Sequence, residues 1–249
     1  MNGAARALIP LFLLLAGLPA LAQVSPEACG PLQSSHYGPF DYRGGRNALS
    51  PPDNDTLARR RMLVENAHFT PRVEMLLGSQ SAGLSFPPGG DLDYTLRAFP
   101  NNPRALLSVM RYGEKTKQDK PVGLRYVVEC YFERAIRFAP NDNVARMVYT
   151  TFLTKKNRKA DALQQLQMVL NNTKDNAFTH FNVGLLYFDL GEHQEAVAQA
   201  RKAKELGFVG TALIDQLKAA GKWTEPVADL PTEAATAETS APASAPAKP

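Results

Sequence analysis

The chain has 249 residues, 44% hydrophobic and 21% charged, with 28 Lys and Arg against 24 Asp and Glu. That makeup suits one soluble globular body of ordinary size with two unstructured ends, not a fibrous or membrane-embedded chain. Setting aside Arg6 near the start, and Lys248, Glu225, Asp229, Glu233 and Glu238 near the end, leaves 26 basic and 20 acidic residues, a body of about +6 and a tail of about −3.

Arg6 precedes an apolar run, Ala7–Pro19, and Ala20-Leu21-Ala22 stands before Gln23. A short basic region, a short apolar core and an A-x-A site form the pattern of a secretory signal peptide. The run is too short to cross a bilayer comfortably. We therefore expect a signal peptide over 1–22 cleaved after Ala22, a periplasmic or secreted protein, and no membrane span in the mature chain. A basic body in the periplasm favours anionic envelope surfaces, and nucleic acid is not an expected partner of an exported chain. In an oxidising compartment, Cys29 and Cys130 are expected to form a disulfide. On a helix predicted over 122–138, Val128 and Phe132 point inward, and at 100° per residue Cys130 falls on the outer face. The bond therefore predicts an N-terminal strap across the outside of the helices.

Residues 23–69 form an N-terminal extension without repeat signal. His36–Gly45 is aromatic and turn-rich,. Tyr37, Phe40 and Tyr42 read either as a sugar- or peptide-contacting loop or as an anchor tying the strap to the helices, the second being favoured. Ser50-Pro51-Pro52-Asp53 is a capping-box arrangement that predicts a helix to about Asn66. Within 70–102, Thr70-Pro71 opens a short helix ending near Gly78, and Asp91–Ala98 is a second, closed by Pro100-Asn101-Asn102. We read a degenerate leading hairpin there. Gly78–Gly83 has the wrong spacing for a G-x-S-x-G nucleophile turn and is expected to be a loop. No strand is predicted anywhere. Asp91-Leu92-Asp93 and Asp53-Asn54-Asp55 stand where helix N-caps are expected and not as metal ligands.

Residues 103–142 give a first helix, Pro103–Gly113, a loop over Glu114–Pro121, and a second helix carrying Val128, Phe132, Ala135 and Pro140. Two consecutive helical hairpins follow, 143–176 and 177–210. Ala162 and Ala196, which open their second helices, are 34 residues apart, as are Val128 and Ala162. In the last hairpin His180, Val183, Gly184, Tyr187, Gly191 and Ala196 stand at the spacing W-x2-L-G-x2-Y, turn, A,. The stretch Phe181–Ala196 resembles a tetratricopeptide repeat, with His180 in the Trp slot and Ala200 where a bulky aromatic is usual. The preceding hairpin is similar, with Arg146, Tyr149, Thr150 and Leu153 on its first helix. Its second helix keeps an apolar stripe through Ala162, Leu163, Leu166, Val169 and Leu170,. The resemblance covers 70–223 and is strong in the last third.

This resemblance implies an all-α fold, a right-handed superhelical α-solenoid of three repeats with a capping helix over 211–224, where Trp223 packs. It also implies that the first helices line a concave groove receiving a partner segment. Carried over, the groove residues are Val144, Met147, Thr151, Lys155, Phe178, Phe181, Asn182, Leu185 and Phe188, with Asn182 placed to bond a bound main chain. A Lys/Arg carboxylate clamp is not evident, so an apolar ligand is expected.

No catalytic machinery stands out. His36, His68, His180 and His193 show no ligand spacing, and neither metal nor cofactor is expected. Lys155-Lys156-Asn157-Arg158-Lys159, the densest basic run, lies at a hairpin turn and reads as a solvated cluster. From Glu225 to Pro249 the chain is too rich in Ala, Pro, Thr and Ser to bury a core, and is expected to be disordered. The functional expectation is a non-enzymatic periplasmic scaffold holding a protein partner of an envelope complex. The alternative is a cell-wall or polysaccharide binder using Tyr37, Phe40 and Tyr42.

Overall fold

A computed structural model describes residues 24–25, 27–32, 37–43, 53–81 and 84–224. The expected signal peptide, the Ser50 capping box and the tail from Glu225 lie outside the described residues. Among the described residues the fold is mostly helical. It runs α1 (Asp53–His68), α2 (Pro71–Glu74), β1 (Ser79–Ser81), β2 (Leu84–Phe86), α3 (Gly89–Ala98), α4 (Pro103–Thr116), α5 (Val128–Phe138), α6 (Asn143–Lys155), α7 (Lys159–Asn172), α8 (Ala177–Asp189), α9 (His193–Glu205) and α10 (Ala212–Ala219). None of these helices is long and apolar enough to cross a membrane.

The hairpins α6/α7 and α8/α9 form for the same local reasons. Each first helix opens on a side chain that accepts from its own first turn. Asp142 takes Val144 N at 3.0 Å and Ala145 N at 3.1 Å, and Asn176 takes Thr179 N at 2.9 Å. Asn102 does the same for α4. Such caps contribute about 1 kcal/mol each. The hairpin turns need one residue in the left-handed region. Gly191 supplies it between α8 and α9 at φ 75°, and Asn157 supplies it one period earlier at φ 57°. Asn is among the few non-glycine residues that adopt this conformation readily.

Ala162 and Ala196 are fully buried where the helices of each hairpin cross. Gly184 is buried beneath the terminal helix, and a Cβ there would come within 2.4 Å of Leu213 Cδ2. Along the chain α4 packs on α6 and α6 on α8, while α10 closes over α8 and α9. One apolar core runs through them, from Leu92 and Leu106 through Phe132, Tyr149 and Leu166 to Val183, Leu213 and Leu217. Trp223 packs against its end, beneath Arg201.

The N-terminal part departs from expectation in four places. β1 and β2 form a short antiparallel pair, Ser79 facing Phe86, where a loop and no strand had been read. The helix packed on α3 is α1, not the four-residue α2. α5 begins at Val128, not at 122, because Val128 N bonds back to Asp119 O at 2.7 Å and closes the preceding loop. Asp91 and Asp93 are not caps: α3 opens at Gly89, with Pro88 at its N-cap. Asp91 instead bonds His68 Nδ1 at 2.8 Å. Asp93 is buried and accepts from Tyr131 Oη at 2.6 Å, Arg97 Nε at 2.8 Å and Arg125 N at 3.3 Å.

Cys29 and Cys130 are bonded, with their Cα atoms 5.0 Å apart. The stripe Cys130, Arg134, Arg137 on α5 is the face that the strap covers. Arg134 donates to Cys29 O at 3.0 Å and Pro31 O at 2.6 Å, and Arg137 donates to Gly30 O at 2.9 Å. Further on, Tyr42 N donates to Asn101 Oδ1 at 2.9 Å and Tyr42 Oη to Glu65 at 2.6 Å. Phe40 and Tyr42 both pack on Phe99, with Arg60 and Arg61 over their outer faces. The aromatic run is therefore an anchor.

The basic run is solvent-exposed at Lys155, Lys156, Asn157 and Lys159, as expected, and buried only at Arg158, and each of its cations also has an acidic partner. Lys155 pairs with Glu114 at 3.1 Å, Lys156 with Asp119 at 3.0 Å, Arg158 with Glu129 at 2.5 Å and Lys159 with Glu192 at 2.6 Å. These four pairs tie the turn to α4, to the loop after it, to α5 and to the start of α9.

Candidate partner-binding groove

The α6–α8 pair sets up an open groove of about 370 Å³, lined by Val144, Met147, Val148, Thr151, Phe178, Asn182, Leu185, Leu186 and Asp189. Its regularity follows from the repeat. On α8 the stripe Phe178, Asn182, Leu185, Asp189 is one helix face, and stepping back 34 residues gives Val144, Val148, Thr151 and Lys155 on α6,. The opposite face of α8 is engaged inside its own hairpin. Val183 is fully buried, Tyr187 nearly so, and His180 Nδ1 meets Gln199 Oε1 at 2.7 Å.

The groove leaves apolar surface open. Phe178 is 63% exposed and Val144 48% exposed. A helix that is apolar on both faces either packs on both or presents one of them to a partner. α8 does some of each. Phe181 stacks on Phe208 with ring centroids 4.3 Å apart, and Phe188 lies 5.3 Å from the His193 ring. Both leave the groove for the flank that the post-α9 turn and α9 cover, so neither stands where the resemblance placed it. Lys155 also turns away. It lines a separate cleft of about 240 Å³ together with Met110, Glu114, Lys117 and Phe152.

Six expected residues therefore meet in the groove: Val144, Met147, Thr151, Phe178, Asn182 and Leu185. Val148 and Leu186, absent from the expected set, form the floor between the two helices. Val148 was one 34-residue step from Asn182, and that step was the signal for it. Asp189 completes the set, and burial pushes its carboxyl above the usual 3.8. Asn182 donates to Phe178 O at 2.7 Å, which fixes the amide at the groove rim.

The Tyr37, Phe40, Tyr42 set does not form a comparable surface. Tyr42 is buried, Phe40 lies under Arg60, and Tyr37 alone lines a small hollow with Leu63, His68 and Tyr94. Among the described residues no three His, Cys, Asp or Glu side chains gather as metal ligands do. A comparison with models of known protein families finds no match, and a comparison with curated proteins finds none.

Proposed function

We propose that the chain is an exported tetratricopeptide-like array, a right-handed superhelical solenoid of helical hairpins, that holds a segment of an envelope protein in the α6–α8 groove without catalysing a reaction. The observation that carries this reading is the groove itself. It is an apolar channel between successive first helices with an exposed Phe at one end and an anchored Asn at its rim. Exposed aromatic and aliphatic side chains beside a concavity are what anchor a bound segment. Asn182 keeps Oδ1 and one amide hydrogen free, which suits an extended main chain offering N–H and C=O in alternation.

The row of first helices α4, α6 and α8, each with an Asx cap, and the closing of α10 over the last pair support the solenoid,. The buried disulfide supports export to an oxidising compartment,. The polysaccharide reading loses Phe40 and Tyr42 to internal packing and is not carried further.

The test is affinity capture from a periplasmic extract with the wild type and with Phe178→Ala/Leu185→Ala, both checked for native circular dichroism. A protein held by the wild type and released by the double variant supports the groove. Equal capture by both overturns it. Phe181 is left intact because it stacks on Phe208 at 4.3 Å, whereas Phe178 is mostly exposed and stands farther from that ring, at 6.3 Å.

A further inference from the structure

The chain's body carries about six excess positive charges, yet among the described residues the only charged side chain lining the groove is Asp189. Asp189 is the last residue of α8, where unsatisfied carbonyls form the negative end of the helix dipole. A carboxylate there is disfavoured by the helix and gains most from an added cation. Asp189 is solvent-exposed at the groove mouth, and among the described residues it takes no hydrogen bond or ion pair, while partial desolvation raises its carboxyl.

The neighbouring cations are already engaged. One period earlier the equivalent residue is Lys155, which pairs with Glu114 at 3.1 Å. Lys159 pairs with Glu192 at 2.6 Å. Asp189, at the end of α8, has no such match among the described residues.

The uncharged polar groups point the same way. Thr151 Oγ1 donates to Met147 O at 3.2 Å, so it faces the groove as an acceptor. Asn182 gives one amide hydrogen to Phe178 O and keeps Oδ1 and one hydrogen. Acceptors outnumber donors: two oxygens of Asp189, one of Thr151 and one of Asn182 stand against a single amide hydrogen. An anionic ligand would meet one donor and an unpaired carboxylate, whereas a cationic one satisfies the acceptors. The protein's own tail, at about −3, is the wrong occupant by charge.

Resting on the groove reading above, we infer that the groove selects an extended segment of an exported partner in which apolar side chains lie along Phe178 and Leu185 and a Lys or Arg follows to meet Asp189. The span sets the spacing. Phe178 and Asp189 are eleven residues apart on one helix face, or roughly 16 Å at the helical rise. An extended segment covers that distance in about five residues. Side chains that share one face of an extended segment are an even number of residues apart, so the apolar anchor and the cation are about four or six residues apart in the ligand.

The experiment uses the whole protein and immobilised 12-residue peptides with blocked ends. Leu alternates with Ser, and in two series the position four or six residues after the first Leu, on the same face as the Leu side chains, carries Lys, Arg, Gln or Glu. Lys and Arg peptides are expected to bind roughly three- to tenfold more tightly than the Gln peptide, with the advantage shrinking as salt rises. Asp189→Asn should erase that difference while leaving the Gln peptide unaffected, and Asp189→Lys should turn the preference to Glu. If the wild type holds Lys and Gln peptides equally, and Phe178→Ala/Leu185→Ala releases both, the groove stands and the charge selection is overturned. If no peptide is held, the groove reading falls, and this inference with it.

Discussion

The hairpins α6–α9 and the region from the strap to α5 bury their helices by different means. In α6–α9 the decisive contacts are local: caps three residues from their donors, turn residues 34 positions apart, and small residues at helix crossings. In the N-terminal region the tethers cross long stretches of chain. Cys29 and Cys130 are 101 residues apart, Tyr42 and Asn101 59, and Asp93 and Tyr131 38. Local periodic packing tolerates the loss of any one distant tether. A region assembled by tethers does not, because each one closes a loop whose entropy opposes folding.

Breaking the disulfide is the largest expected effect. By the chain-entropy account a loop of about 100 residues corresponds to ~4–5 kcal/mol. Cys130→Ser, or reduction of the wild type, should lower hydrogen-exchange protection across the strap and α1–α5 far more than across α6–α9. An equal loss in both regions would show that the two do not differ in the way described. Asp93→Ala should rank next. It removes the acceptor shared by Tyr131, which is 1% exposed, Arg97 and the Arg125 amide. Leaving such partners buried and unpaired costs about 3 kcal/mol, read as a fall in the urea midpoint.

Gly184→Val probes the other region. Its Cβ would lie 2.4 Å from Leu213 Cδ2 and 3.2 Å from Gln199 Cβ. Leu213 is itself buried, so moving it disturbs the packing of α10. Overpacking of this kind costs about 1–3 kcal/mol. The loss of protection should centre on α10 and on the α8–α9 contact, leaving the strap unchanged.

The same contrast explains what the amino-acid sequence revealed. The last two hairpins were legible because their small residues, caps and apolar stripes recur at one period. The turn around Asn157 was legible too, although Asn does there what Gly191 does one period later. Six of the residues that the resemblance assigned to the groove line it. Phe181 was misplaced because the residue that covers it, Phe208, lies in the irregular turn after α9, where no helical pattern indicates which way a ring points. Lys155 was misplaced because its partner Glu114 sits at the end of α4, two helices earlier in the chain. In the N-terminal region the pairing of α1 with α3, and the use of Asp93 as a buried acceptor, rest on residues brought together from tens of positions apart. Composition and spacing carry no record of such meetings. The disulfide was the exception, since a chain with two cysteines leaves one pairing.

The smallest expected effect is a pH dependence of the strap alone. Burial would raise the Asp41 carboxyl, but hydrogen bonds from Arg43 and Asn101 outweigh it and hold it at about 2, against 3.8 ordinarily. A carboxyl whose folded value is depressed binds its proton more readily in the unfolded chain. Its stabilising contribution is therefore complete above about pH 4 and is lost as pH falls toward 2. The side chain is 39% exposed, so solvent screens the interaction and the contribution stays below about 1 kcal/mol. Tyrosine circular dichroism should follow it, because Asn101 joins Asp41 to Tyr42 N and to the α6 cap Asp142. Between pH 4 and pH 2 the wild type should lose signal more steeply than Asp41→Asn, which has no proton to take up at that position. Coincident curves would mean that the strap is held by the disulfide and the Arg134 bonds to Cys29 and Pro31, with no share for Asp41.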